Sequence, residues 1–307
     1  MPQLALKIDV DTYRGTLIGV PRLVEVLRRH GADATFLFSL GRDHTGRAIK
    51  RAFRPGFMKK VSRTSVVSHY GLKTLMYGTI LPGPDIGRRC AAILRGVRDS
   101  GFETGIHCWD HVKWQDQVRT ADNAWTEKEM DLAFKRYAKV FDTPALTHGA
   151  AGWQMNRHAL RLTQRLGFKY ASDCRGSHPF IPIWDGEIIA CPQIPTTLPT
   201  LDELIGVDGL TEDNVHERLL EITETPKPLG HVYTLHAELE GMKLASTFEK
   251  LLLGWKQQGY ELVSTAKLRE GFDPTTLPRH EICWGEVPGR SGELLVQGPE
   301  FLADVPA

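Results

Sequence analysis

The 307-residue chain lacks the cysteine patterns that would staple or metallate a small fold. Its five cysteines (Cys90, Cys108, Cys174, Cys191 and Cys283) are odd in number and form no CxxC. A disulfide framework and a thiolate zinc site are thereby disfavoured, and a reduced, cytoplasmic setting is expected. No apolar run approaches the roughly 20 residues that span a bilayer. The uncharged stretch 188–201 is broken by three prolines. The N-terminal MPQLALKIDVDT has no basic region, apolar core or small-residue cleavage site, so it does not read as a signal peptide. A formal charge of +1 leaves no nucleic-acid footprint on the protein as a whole. With 41% hydrophobic and 24% charged residues, the composition is that of a globular protein.

One absence is local. Residues 44–84 contain no acid and eight bases: Arg47, Lys50, Arg51, Arg54, Lys59, Lys60, Arg63 and Lys73. The rest of the chain therefore carries about −7. Ile49, Ala52, Phe53, Phe57, Met58 and Val61 are interleaved with the bases at helix-like spacing, interrupted by Pro55-Gly56. Such a segment is either a solvated basic helix pair packed on a domain or a surface for anionic lipid.

What is present elsewhere alternates. LALKIDV (4–10) and ATFLFSL (34–40) read as buried strands, with a helix over 17–30 placing Leu17, Val20, Leu23, Val24 and Leu27 on one face. Helix 86–101 stops at Gly101 and is followed by the strand FETGIHC (102–108). Helices over 126–141, 156–167, 211–223 and 244–259 then alternate with strands in PALTHGAAGW, KYASD, EIIACPQIP, HVYTLHA and YELVS. Strand and helix in turn predict a parallel sheet covered by helices. The expected fold is α/β, a distorted (β/α) barrel of about seven strands with a helical insertion at 42–85 after the second strand. An open doubly wound sheet is the alternative. The domain is expected over 1–272, with a Pro/Gly-rich extension over 273–307.

Several polar residues close these strands. Asp9 and Asp11 end KIDVDT, His107 and His111 follow FETGIHC, Asp173 follows KYAS, and His236 ends HVYTLH. The C-terminal ends of barrel strands meet on one face, where such residues converge. A carboxylate or imidazole at one strand end is usually a cap, but four strands ending this way point to a site. One carboxylate and two imidazoles make a facial triad with positions left open, and a second carboxylate stays free to take a proton. His236 adds a group that titrates near neutrality.

The ordered set KIDVDT, HCWDH, HGAAGW, SDCRG and YTLHAELEG resembles the polysaccharide deacetylase superfamily (NodB-like, carbohydrate esterase family 4) over about residues 4–270. The longer strings LKIDVDTYRGTLIGVPRL, SDCRGSHPF, QIPTTLPTLDELIG and YTLHAELEG are similar to one branch. Its members deformylate a formamido-arabinose carried on a polyprenyl phosphate, in the Gram-negative lipid A modification that gives polymyxin resistance. The resemblance implies Asp9 as general base, Asp11, His107 and His111 as ligands of a divalent metal (Zn, Mn or Co), and His236 as general acid oriented by Asp173. It implies an oxyanion loop at Ala150, Ala151, Gly152 and Trp153. The superfamily's third-motif arginine is missing from THGAAGW, where His148 stands near its place, and Arg175 is a candidate to hold Asp9 instead. A lipid-linked amino sugar as substrate favours the membrane reading of the basic segment, with Lys50, Arg51, Phe53, Phe57, Lys59 and Lys60 facing anionic lipid on the cytoplasmic side of the inner membrane. Three other activities share parts of this pattern. They are deacetylation of another N-acylated sugar or glycan, Fe(II) oxygenation on the same triad, and non-catalytic lipid or sugar binding by a decayed site.

Overall fold

A computed structural model describes residues 1–48 and 72–302. Lys50, Arg51, Phe53, Phe57, Lys59 and Lys60 lie outside the described residues.

The central strand is β1 (Gln3–Val10), buried along its length after Gln3. Burial on both faces explains why it reads as a near-continuous apolar run rather than an alternating one. It pairs in parallel with β8 (His231–His236), from Leu4 opposite His231 to Asp9 opposite His236. On its other side Lys7 to Val10 pair with β2 (Thr35–Ser39), while β9 (Glu261–Val263) lies beside Gln3 to Ala5. Outward from β2 follow β3 (Glu103–Cys108), β4 (Thr147–His148) and β5 (Tyr170–Ala171), all parallel. The sheet therefore runs β5-β4-β3-β2-β1-β8, with β9 as its seventh strand.

Residues 193–198 occupy the gap between the two edges. Ile194 N–H donates to Ala171 O at 2.8 Å, and Thr197 and Leu198 N–H both donate to Val232 O. This segment includes Pro195, which lacks an N–H and suits an irregular closing stave better than a ladder strand. The expected barrel is thus curled and closed by irregular chain.

Helices cover the sheet: α1 (Val20–Arg29), α2 (Ala91–Asp99), α3 (His111–Gln117), α4 (Asn123–Phe141), α5 (Arg157–Arg165), α6 (Val215–Ile222) and α7 (Ala245–Gln257). Val20, Leu23 and Leu27 of α1 are buried, but Leu17 is 47% exposed and does not share their face. The cause is a π-turn over Gly15–Gly19, whose wider i→i+5 spacing rotates Leu17 and Ile18 outward before α1 begins.

The C-terminal extension, expected as a fading tail, is a hairpin. β10 (Arg279–Glu286) and β11 (Glu293–Glu300) pair antiparallel, and β10 joins β6 (Ile181–Trp184) in parallel, with β7 (Glu187–Ile188) at the far edge. The hairpin tip docks through Arg290, which donates to Glu203 Oε1 at 2.6 Å and Thr200 Oγ1 at 2.8 Å.

Candidate active site

Asp11 follows β1 directly, His107 is the penultimate residue of β3, and His111 opens α3. Asp110 caps that helix by accepting from Lys113 N–H at 3.1 Å, which fixes the start of the turn that carries His111. His107 Nε2 lies 3.2 Å from Asp11 Oδ1, and His111 Nε2 lies 3.4 Å from Asp11 Oδ2. One donor atom from each of the three residues falls within 4.8 Å of the others, as a single cation requires.

The tautomer of His107 sharpens this. Its Nδ1 is 2.6 Å from Gly149 O, and a carbonyl only accepts, so Nδ1 carries the proton. In the neutral ring Nε2 then presents a lone pair to Asp11 Oδ1, a buried oxygen that receives no hydrogen bond. Two lone pairs 3.2 Å apart need a positive charge between them. Without metal a proton can serve. Burial works against the His107 cation, but Asp9 and Asp11 outweigh it and raise its pKa. Burial likewise opposes the Asp11 anion, yet His111, His107 and His236 hold that carboxyl far below the usual range. A divalent ion satisfies the same pair of atoms, and the Nδ1–Gly149 bond fixes the ring for it.

Asp9 lies beside this trio, its Oδ1 3.8 Å from His107 Nδ1. Its Oδ2 is 3.4 Å from Lys7 Nζ, and its buried Oδ1 accepts no hydrogen bond. His236 faces Asp9 across the β1–β8 register. Its backbone N–H donates to Glu240 Oε2 at 2.9 Å, while Tyr233 Oη donates to Glu240 Oε1 at 2.9 Å. His236 Nδ1 is buried without a hydrogen-bond partner among the described residues. Glu238 ties the two strand ends together: its Oε1 accepts from Asp11 N–H, Thr12 N–H and Thr12 Oγ1 at 2.7–3.1 Å. Burial, with the Asp11 charge beside it, pushes the Glu238 carboxyl well up.

Two expected contacts are corrected. Asp173 does not orient His236: its Oδ1 pairs with His148 Nδ1 at 2.7 Å and its Oδ2 accepts from Gln193 Nε2 at 3.1 Å. His148 in turn stacks on Phe168, so the pair is buried structure. Arg175 does not hold Asp9: it donates to Glu203 Oε1 and Leu198 O and lies over the Trp153 ring. The cation beside Asp9 is Lys7, whose Nζ is 3.4 Å from Asp9 Oδ2. The signal was available in KIDVD, because residues two apart on a strand share a face and Lys7, Asp9 and Asp11 are spaced that way. Glu238 and Glu240 were visible in HAELEG only as acids past a strand end.

The loop after β4 is bent by positive φ at Gly152 (62°) and Trp153 (51°). Glycine suits the positive φ at 152, and a Cβ there would also displace the end of the Gln115 side chain, 2.5 Å away. Gly149 and Trp153 N–H donate to Ile106 O and Ala150 O. Ala150 and Ala151 are buried, and their N–H groups have no acceptor among the described residues.

A curled parallel sheet carries an Asp-His-His cluster and a second carboxylate at its C-terminal ends, and its fold is that of solved polysaccharide deacetylases. The chain superposes on a structure from Mycobacterium smegmatis assigned to the polysaccharide deacetylases, with a TM-score of 0.61 at 15% identity, covering 93% of this chain and 96% of that one. It also superposes on the Xyl-CE4 domain of a multidomain xylanase from the hindgut metagenome of Trinervitermes trinervoides (TM-score 0.51, 12% identity, 90% and 94% covered). At such identities the likeness carries the fold alone. No protein-family model matches. Sequence relatives are more specific. A protein of Shewanella sediminis named as a 4-deoxy-4-formamido-L-arabinose-phosphoundecaprenol deformylase (ArnD) is 40% identical, over 95% of this chain and 93% of its own length. One of Wigglesworthia glossinidia brevipalpis with the same name is 32% identical over 92% and 98%. The chain belongs to this deformylase family.

Proposed function

We propose that the protein hydrolyses the N-formyl group of 4-deoxy-4-formamido-L-arabinose linked to undecaprenyl phosphate, releasing formate and the free amine, in lipid A aminoarabinose modification and hence cationic-peptide resistance. The observation that carries the reading is the donor set Asp11, His107 and His111 beside a carboxylate, Asp9, whose Oδ1 is left without a donor. Asp11, His107 and His111 would hold a divalent ion, and Zn²⁺, Mn²⁺ and Co²⁺ all accept this ligand set. When bound, the ion supplies Lewis-acid polarisation of the formyl oxygen and eases ionisation of water.

The chain's own residues do the rest. Asp9 Oδ1 takes the proton of the attacking water. The N–H groups of Ala150 and Ala151, left without an acceptor among the described residues, donate to the oxygen that gains charge as the carbonyl becomes tetrahedral. His236, on the neighbouring strand, delivers a proton to the sugar nitrogen so that it leaves as an amine. Acid–base help of this kind is typically worth about 10²–10⁴-fold. Glu240 fixes the backbone of His236, and Glu238 fixes that of Asp11.

The site works at a membrane surface, on the cytoplasmic face of the inner membrane. Supporting this are the eight bases in 44–84 and the exposure of Leu17 (47%) and Ile18 (46%) on the turn just past Asp11. Among the described residues no helix is long and apolar enough to cross a bilayer. The test is mass spectrometry of the formamido-arabinose polyprenyl phosphate after incubation with metal-loaded protein, beside its N-acetyl analogue. Loss of the formyl group with the acetyl analogue intact is expected. Preferential loss of acetyl would move the assignment to a deacetylase.

A further inference from the structure

Lys7 is fully buried in the middle of β1, among the apolar residues of LALKIDV. An ammonium in such a place persists only where its charge is paired and its protons are accepted. Three groups meet it. Asp9 Oδ2 lies at 3.4 Å, Ser172 O accepts from it at 3.2 Å, and the Trp153 ring centroid lies 5.5 Å away. The path is kept open by Gly149, where a Cβ would come within 3.0 Å of Lys7 Cε and 2.4 Å of Leu37 Cδ1. Gly149 therefore both receives the His107 proton through its carbonyl and leaves room for the lysine stem. β1, the loop after β4 and the end of β5 converge on one ammonium.

We infer that Lys7 is a positioning residue for hydrolysis: it holds Oδ2 of Asp9 so that Oδ1 is the oxygen presented to the attacking water. This rests on the reading of Asp9 as the base. The lysine touches no solvent, so it does not bind substrate, and it acts through Asp9 alone. Oδ1 lies 3.8 Å from His107 Nδ1, but that nitrogen donates to Gly149 O and leaves Oδ1 without a hydrogen bond. The ammonium reaches Asp9 from the same strand as the base, two residues before it.

The experiment is a double-mutant cycle on the metal-loaded protein with Lys7→Met, which preserves volume and removes charge, Asp9→Asn, and the pair. Lys7→Met is expected to lower kcat on the order of 10²-fold, the scale of losing a well-placed base, with KM and metal content unchanged. In the Asp9→Asn background the same change should cost nothing further. An equal additional loss there, a change in KM alone, or an unchanged kcat overturns the inference. Lys7→Gln, tested the same way, replaces Lys7→Met if the latter does not fold. Failure of the wild type to release formate would refute the deformylase reading alone. Lys7 is then judged by the crystal structure of its variant, in which Asp9 is expected to rotate; an Asp9 carboxylate left in place overturns the proposal.

Discussion

Gly19 closes the π-turn that follows Asp11, and it lies against the chain just after His236. A Cβ built there would be 2.0 Å from Ala237 O and 2.8 Å from Ala237 C. A Cβ on Gly241, in the π-turn Leu239–Lys243, would in turn meet Gly19 Cα at 2.8 Å. Both turns are backbone at the point of contact, so no side chain can swing aside. With ordinary carbon contacts at about 3.5–4.0 Å, Gly19→Ala must part the two turns by roughly 1 Å or more. Overpacking of this kind costs about 1–3 kcal/mol. The displacement falls on Ala237, next in the chain to His236, which faces Asp9 in register, and a misplacement of about 1 Å is worth on the order of 10²-fold in rate. Gly96→Ala is the control. It lies in α2 with nothing within 4 Å of the new methyl, and it should stabilise by about 0.5–1 kcal/mol. Thermal unfolding and single-turnover formate release on both variants check this. A Gly19→Ala protein as active as the parent would refute the packing argument.

Four further outcomes are expected. Asp11→Ala and His107→Ala should lose bound metal and activity, whereas Asp9→Asn keeps the metal and loses activity; metal analysis of an empty Asp9→Asn protein would show the two aspartates reversed. Burial lowers the His107 pKa but Asp9 and Asp11 raise it more, so metal must displace a proton held to higher pH than usual. Apparent affinity should therefore fall by up to about tenfold per unit as pH drops below that raised pKa, and a calorimetric titration showing constant affinity between about pH 8 and 6 would contradict it. Asp173→Asn should cost about 1–3 kcal/mol through the buried His148 pair, yet leave the rate per folded molecule near the parent's; a selective loss of rate would restore Asp173 to the reaction. Each base near anionic lipid contributes about 1 kcal/mol, so Lys50/Arg51/Lys59/Lys60→Glu should sharply weaken salt-sensitive liposome binding, and equal partitioning would remove the membrane reading.

The strand–helix alternation and the Asp-His-His trio were legible because both depend on local spacing. His107 and His111 flank one strand end, and the apolar runs of β1 and β2 mark buried strands without reference to the rest of the chain. What was not legible depends on distant partners. Asp173 follows a strand as a site residue would, but its hydrogen-bonding partner is His148, on the adjacent strand. Arg175 sits in a motif beside the site, while Glu203, far along the chain, claims its guanidinium. The outward turn of Leu17 comes from a π-turn, which the 3.6-residue periodicity of a helix does not anticipate. The β10–β11 hairpin was hidden by glycine and proline in a segment whose strands are short of alternating pattern.

The central claim is that the trio binds a metal that serves a formamide hydrolysis based on Asp9. The most direct measurement is formate released in a single turnover from the formamido-arabinose polyprenyl phosphate by three samples: chelator-stripped protein, the same protein with metal restored, and metal-loaded Asp9→Asn. Within the time of one wild-type turnover, formate should reach an amount stoichiometric with enzyme only in the second. Equal release by the stripped protein, or by Asp9→Asn, would contradict the account.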